Sequence, residues 1–206
     1  RLRLRPFERR DWDAYLAYAS RPDVVRYMYW EPHDEAAHRA RLEKYLTRTR
    51  LAEEGDVLTL AVEPIDAGDG ASGGAMGDEV GVAMHDAVDG APVPSIVGEV
   101  LLVWRSLVHR QGEFGFAFHP DFQGKGYATE AAGAMLDLAF DRLDLHRVFG
   151  RCDARNRASG RLMARLGMRR EAHLVENEWI KGEWTNEEAW AILQREWHAH
   201  RAAADE

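Results

Sequence analysis

The chain has 206 residues, 46% of them hydrophobic, with seven Trp and a formal net charge of −8; this suits one domain with a sizeable buried core. No run approaches 18 apolar residues, which excludes a transmembrane helix, and the acidic balance leaves no basic patch to neutralise a nucleic-acid backbone. Residues 65–95 hold six acidic residues and seven Gly but no Lys or Arg, so the rest of the chain is close to balanced.

The N-terminus is Arg-rich and strand-like, without the apolar core of a secretion signal. Together with Cys152 as the lone cysteine, this points to a reducing, cytoplasmic setting. The chain opens on Arg1 rather than Met, as one short of a few initial residues would. Leu2 and Leu4 alternate with arginines as a half-buried strand does. Asp11 then offers an N-cap for a helix carrying Trp12, Tyr15, Leu16 and Ala19. An aromatic run follows, Tyr27-Met28-Tyr29-Trp30, which core packing explains on its own. A second helix is predicted from Asp34 towards Gly55, the latter as its C-terminal glycine. Residues 57–62 read as a strand whose hairpin partner is 96–104. Between them, the composition of residues 65–95 buries too little apolar surface to offset ordering, which predicts a mobile acidic insertion, a solvated loop or a lip attractive to amines.

Residues 113–119 predict the next strand, and it runs into Gln123, Gly124, Lys125, Gly126, Tyr127, Ala128 and Thr129. Glycines let the backbone approach a ligand in conformations closed to other residues, and a following helix start offers free N–H groups and a positive dipole end. The stretch therefore reads as a diphosphate site, with Lys125 adding charge. A nucleoside-triphosphatase loop fails because no run of Gly, four residues, Gly-Lys-Ser/Thr is present, and the dinucleotide pattern fails because Thr129 stands three residues after Gly126. From Thr129, Ala132, Met135, Leu136, Ala139, Phe140 and Leu143 fall on one helical face. A strand from Arg147 carries Cys152, read as a buried structural thiol rather than an acyl-carrying nucleophile. A helix over 158–166 closed by Gly167 and strands over 176–181 and 187–193 complete an α/β sandwich. His198 and His200 lie in a polar tail, and no His spacing predicts a metal site.

Gln123-x-x-Gly126-x-Ala128, after a strand ending in His119-Pro120, resembles the acyl-CoA motif of the GCN5-related N-acetyltransferases, or GNATs. Asn156-Arg157-Ala158-Ser159 with Leu166-Gly167-Met168 looks like a second segment of that family. The opening Arg1 to Phe7 run, Gly182-Glu183-Trp184 and Leu193 to Trp197 are similar to its branch containing the ribosomal-protein N-terminal acetyltransferases RimJ and RimL. The resemblance spans nearly the whole chain apart from the insertion.

It implies one α/β domain over 1–206 with a mixed, mostly antiparallel central sheet, splayed at the acyl-CoA site and flanked by helices. It also implies direct acetyl transfer from acetyl-CoA to a primary amine in a ternary complex, without a metal. Backbone N–H groups of the glycine loop would meet the pyrophosphate. The edges formed by Phe116, Ala117, Phe118 and His119 and by residues 151–153 would flank the pantetheine arm, with Asn156 bonded to it. A main-chain N–H at Phe116 or Ala117 is the expected donor to the thioester oxygen. Tyr29 and Trp30 border the acceptor site. Glu113 and Glu99 are the candidate bases, Glu113 favoured; a surface position for Glu113 and a salt bridge for Glu99 compete with that role. Ser159 would return a proton to the thiolate or merely cap its helix, since no Tyr follows Tyr127. The implied acceptor is a protein or peptide N-terminus, with a polyamine, amino acid or aminoglycoside as alternative. A noncatalytic CoA-binding module is the reading from another class, and homodimers are compatible with the family.

Overall fold

A computed structural model describes residues 1–30, 34–65, 85–88, 91–93 and 95–204. In chain order the elements are β1 (Leu2–Pro6), α1 (Trp12–Ala19), α2 (Pro22–Val25), α3 (Glu35–Thr47), β2 (Val57–Pro64), β3 (His85–Val88), β4 (Ala91–Val93), β5 (Gly98–Ser106) and β6 (Gln111–Phe118). Then come α4 (Tyr127–Asp137), β7 (Arg147–Asp153), α5 (Arg157–Arg165), β8 (Arg169–Ile180), β9 (Glu183–Leu193) and α6 (Gln194–Ala204). Seven strands form one mixed sheet in the order β1-β2-β5-β6-β7-β9-β8, the expected single α/β domain with helices on both faces.

Alternation along the strands sorts the two faces. Leu58 and Val62 of β2, Val100 and Leu102 of β5, and Phe114 and Phe118 of β6 join Met135, Leu136 and Phe140 in one core under α4. Ala61 and Ala117 lie in a second core with Phe7, Tyr15, Tyr18, Leu42 and Tyr45 of the α1–α3 side. Every neighbouring pair in the sheet is antiparallel except β6 and β7, which are parallel and joined only at Gln111↔Arg147, Gly112↔Val148 and Glu113↔Phe149. Beyond Glu113 the two strands part.

Several boundaries differ from the sequence reading. Asp11 precedes α1 but makes no cap bond. Its carboxylate instead takes two bonds from the buried Arg5 guanidinium, 2.7 and 2.8 Å, and one from the Glu8 N–H, 2.8 Å. Asp34 does cap α3, accepting from Ala37 N at 2.9 Å, but that helix ends at Thr47. Gly55, at φ +94°, turns the chain into β2 and donates to Trp104 O. The helix after the glycine loop begins at Tyr127, two residues earlier than expected, and its last turns widen into a π-helix at Leu138–Arg142. Strand β8 begins at Arg169 and carries bulges. It turns into β9 through Lys181 and Gly182, at φ +53° and +81°, the two positive angles a tight hairpin demands. The polar tail is a helix, α6, with Trp197 buried and its indole N–H donating to Asp137 at 2.9 Å. Of residues 65–95, β3 and β4 form a separate two-stranded ladder between β2 and β5 in the chain; the predicted mobility of residues 66–84 lies outside the described residues.

Candidate active site

The parting of β6 from β7 opens a cavity of about 630 Å³. It gathers Phe116, Ala117, Phe118, Gln123, Gly124, Gly126, Tyr127, Ala128, Thr129, Asn156 and Ser159 from the expected set. Gly124 and Gly126 take φ of +76° and +84°, conformations that cost a residue with a Cβ on the order of 1–2 kcal/mol. Gly126 is the N-cap of α4, so the free N–H groups and dipole of that helix point from the end of the loop, where an anion is favoured. Around Gly124 a Cβ would meet nothing, so that glycine is required by its angle rather than by crowding, and the open space beside the loop leaves its backbone accessible to a group such as a pyrophosphate.

Not every expected residue reaches the cavity. His119 turns aside: its N–H donates to Val97 O, and its ring Nδ1 accepts from Asp121 N at 3.2 Å. Lys125 lays its ammonium over the Phe122 ring at 4.8 Å, and its carbonyl accepts from Arg1. Asn156, not Ser159, caps α5, its side-chain oxygen accepting from Ser159 N at 3.2 Å. The capping role read for Ser159 is thus corrected, because the Asn156 oxygen already occupies that N–H. The Cys152 thiol is buried and faces the α4 side. Burial and nearby carboxylates push it up to about 12, so it holds its proton at neutral pH and is a poor nucleophile.

The two glutamates occupy different environments on the opposite face. Glu99 is 3% exposed, and its two oxygens accept from the Tyr18 and Tyr45 hydroxyls at 2.8 Å each. Its hydrogen-bond partners are therefore tyrosines, not the arginine of the salt bridge weighed against its role as base. Burial raises its pKa, and the two tyrosines pull it back only in part. Glu113 sits at the apex of the splay, in the last residue pair that joins β6 to β7. It accepts from Arg105 at 2.6 Å and Arg151 at 3.1 Å, a partly buried network rather than the bare surface position that competed with its role as base. Arg151 also reaches Glu187 at 3.4 Å and Glu178 at 3.8 Å. Tyr29 donates its hydroxyl to Glu187, which also accepts from Asn177 at 2.9 Å. Tyr29 thus joins the network around the apex, whereas Trp30 turns to the Arg41 guanidinium, 3.9 Å from its ring.

Sequence reading missed the α2 side of the cavity, where Asp23, Val24, Tyr27 and Met28 line it, and the α5 side, where Ala158, Arg161, Leu162 and Arg165 do. The four on α5 fall at i, i+3, i+4 and i+7, a helical face legible in the sequence, although a strong amphipathic pattern reads first as core. The α2 segment carries no such pattern. It is held in place from afar: Lys181 donates to Val25 O, and the Arg155 guanidinium stands 5.9 Å from the Tyr27 ring. Among the described residues no group of His, Cys, Asp or Glu is disposed to hold a metal, and no helix is long and apolar enough to cross a membrane.

With that geometry in view, a family model described as Acetyltransferase (GNAT) domain matches residues 1–169. The N-acetyltransferase YnaD of Bacillus subtilis is 29% identical over 198 residues, 96% of each chain. A solved GNAT-family acetyltransferase from Bacillus anthracis superposes with a TM-score of 0.73 at 28% identity, covering 95% of this chain and 96% of the other. The Vibrio cholerae spermidine N-acetyltransferase, solved with CoA and spermine, superposes at 0.70 with 23% identity over 96% and 98% of the two chains, a likeness of fold.

Proposed function

The chain belongs to the GNAT acetyltransferase family and is an acetyl-CoA-dependent N-acetyltransferase; from that premise we propose that its acceptor is the α-amine of a protein or peptide N-terminus, as in the RimJ and RimL branch. The observation that carries this choice is the state of the acceptor-face carboxylates. Glu113, Asp153, Glu178, Glu183 and Glu187 are each already engaged by Arg151 or Arg155. The five share two guanidiniums, so the face keeps a negative excess that draws an ammonium, while none of them stands free to take each further charge of a polycation. The second reading, a polyamine acceptor, draws on the V. cholerae neighbour, whose own ligand is spermine.

The chain's residues divide the work. N–H groups of the glycine loop and the start of α4 would hold the pyrophosphate, and the free edge of β6 with Asn156 the pantetheine arm. Acetyl-CoA supplies the thioester. The ammonium loses one proton beforehand, the neutral amine forms the new C–N bond as the C–S bond breaks, and the second proton it sheds on becoming an amide balances the one the thiolate takes up. A main-chain N–H at Phe116 or Ala117 would donate to the carbonyl oxygen. Glu113 would end a water relay that removes the amine proton; its arginine partners fix its position at the apex. Glu99, sealed behind two tyrosines, would shape the acceptor face from beneath. Ser159 stands at the cavity as the donor to the thiolate, a step of small consequence because a thiol near pKa 8.5 leaves readily. In this reading residues 65–95 are an insertion in one domain, the free thiol of Cys152 suits the reducing cytoplasm, and a homodimer is an assembly compatible with the family.

The test is CoA thiol release over N-terminal peptides, amino acids, polyamines and aminoglycosides, with a no-acceptor control. Turnover with peptides is expected; turnover with polyamines alone would overturn the acceptor assignment, and acetyl-CoA binding without turnover on any amine would indicate a binding module. Glu113→Gln should lower the maximal rate roughly tenfold or more with acetyl-CoA affinity unchanged. An unchanged rate removes Glu113 from the relay.

A further inference from the structure

Helix α5 carries a row of arginines that nothing nearby balances. Arg157, Arg161 and Arg165 recur every fourth residue, so they share one stripe of the helix. All three are exposed, and none has a carboxylate partner among the described residues. By contrast Arg105, Arg151 and Arg155 near the apex are all ion-paired. Like charges at this spacing repel, and the first turn of α5 holds no acid to relieve them. In a chain of net charge −8, such a local excess is suited to an anion that arrives from outside.

The cavity indicates which anion. Arg161 and Arg165 line it together with Ala158 and Leu162 of the same helix, while Arg157 does not. The glycine loop and the start of α4 line the same cavity, and their N–H groups suffice for a pyrophosphate. CoA carries a second anionic group, the 3′-phosphate on its ribose, a phosphomonoester for which a guanidinium fork is the best-matched partner. We propose that Arg161 and Arg165 form the subsite for the CoA 3′-phosphate, so that this enzyme separates CoA from its dephosphorylated analogue by two side chains on α5. The proposal rests on the acetyl-CoA reading of the cavity.

The experiment compares dissociation constants of CoA and 3′-dephospho-CoA by calorimetry, for the wild-type chain, the double variant Arg161→Gln/Arg165→Gln, and Arg157→Gln. Wild-type protein should favour CoA by about tenfold or more at low salt, with the preference shrinking as salt rises. The double variant should lose that preference while keeping its affinity for 3′-dephospho-CoA, and Arg157→Gln should keep both. Retained 3′-dephospho-CoA binding also reports that the double variant is folded. If it does not fold, the wild-type ratio decides. Equal affinities in wild type, or a preference surviving in the double variant, would overturn the subsite and leave the pyrophosphate reading intact. Failure of both ligands to bind would overturn the acetyl-CoA reading itself.

Discussion

A carboxyl group shut away from water must find its hydrogen bonds inside the protein, and Glu99 finds them in two buried hydroxyls, those of Tyr18 and Tyr45. Replacing it with Leu keeps the volume but orphans both donors, at about 1–3 kcal/mol each. Urea denaturation at pH 6 should show a loss of that order for Glu99→Leu and a much smaller one for Glu99→Gln. Equal losses would mean that packing, not the hydroxyls, decides. Glu99 also marks how far the sequence could be read at this scale. That a carboxylate on a central strand calls for a reason was legible, as were the glycines whose positive angles build the loop. The partners were not, because Tyr18 lies 81 residues from Glu99 in the chain and Tyr45 54, and nothing in local spacing brings them together. The same distance hides the contact between Tyr29 and Glu187, 158 residues apart.

Among the elements, those with a strong period were readable and those held by one anchor were not. β2, β5, β6 and α4 alternate or repeat clearly enough to be placed within a few residues. α6 buries only Trp197, so its sequence looks like a polar tail. A single anchor makes a clear prediction. Trp197→Ala removes a side chain that is 2% exposed and its bond to Asp137, and should cost about 3–5 kcal/mol, read as a lowered urea midpoint. A loss below about 1 kcal/mol would mean that α6 lies on the fold without supporting it. The first half of β8 was not legible for a related reason: it is exposed and charged, and it is a strand only because β9 offers it a ladder.

For the whole molecule, carboxyls of opposite behaviour bound the pH range of stability. Burial alone would raise Glu63, Glu130, Glu171 and Asp153, but arginine partners outweigh it and hold each below its ordinary value. Their contribution is present above the unfolded carboxyl values near 4 and is lost as pH falls through the lower folded ones. Glu99 acts in the other sense. Raised chiefly by burial, it contributes fully below about pH 4.3 and loses that contribution as pH rises through its folded value. Urea midpoints from pH 3 to 8 should therefore fall at the acid end in both wild type and Glu99→Gln, while only the wild type carries the added decline that begins above about pH 4.3; profiles that superimpose above that pH would refute the assignment. One further consequence follows from the three residue pairs that join β6 to β7. The sheet is two leaves bound at one spine, and a cofactor arm lying along both free edges would serve as a removable strand between them. Loading would then amount to closing a seam and release to unpicking it, with Gln111, Gly112 and Glu113 as the stitches that hold the two leaves in register.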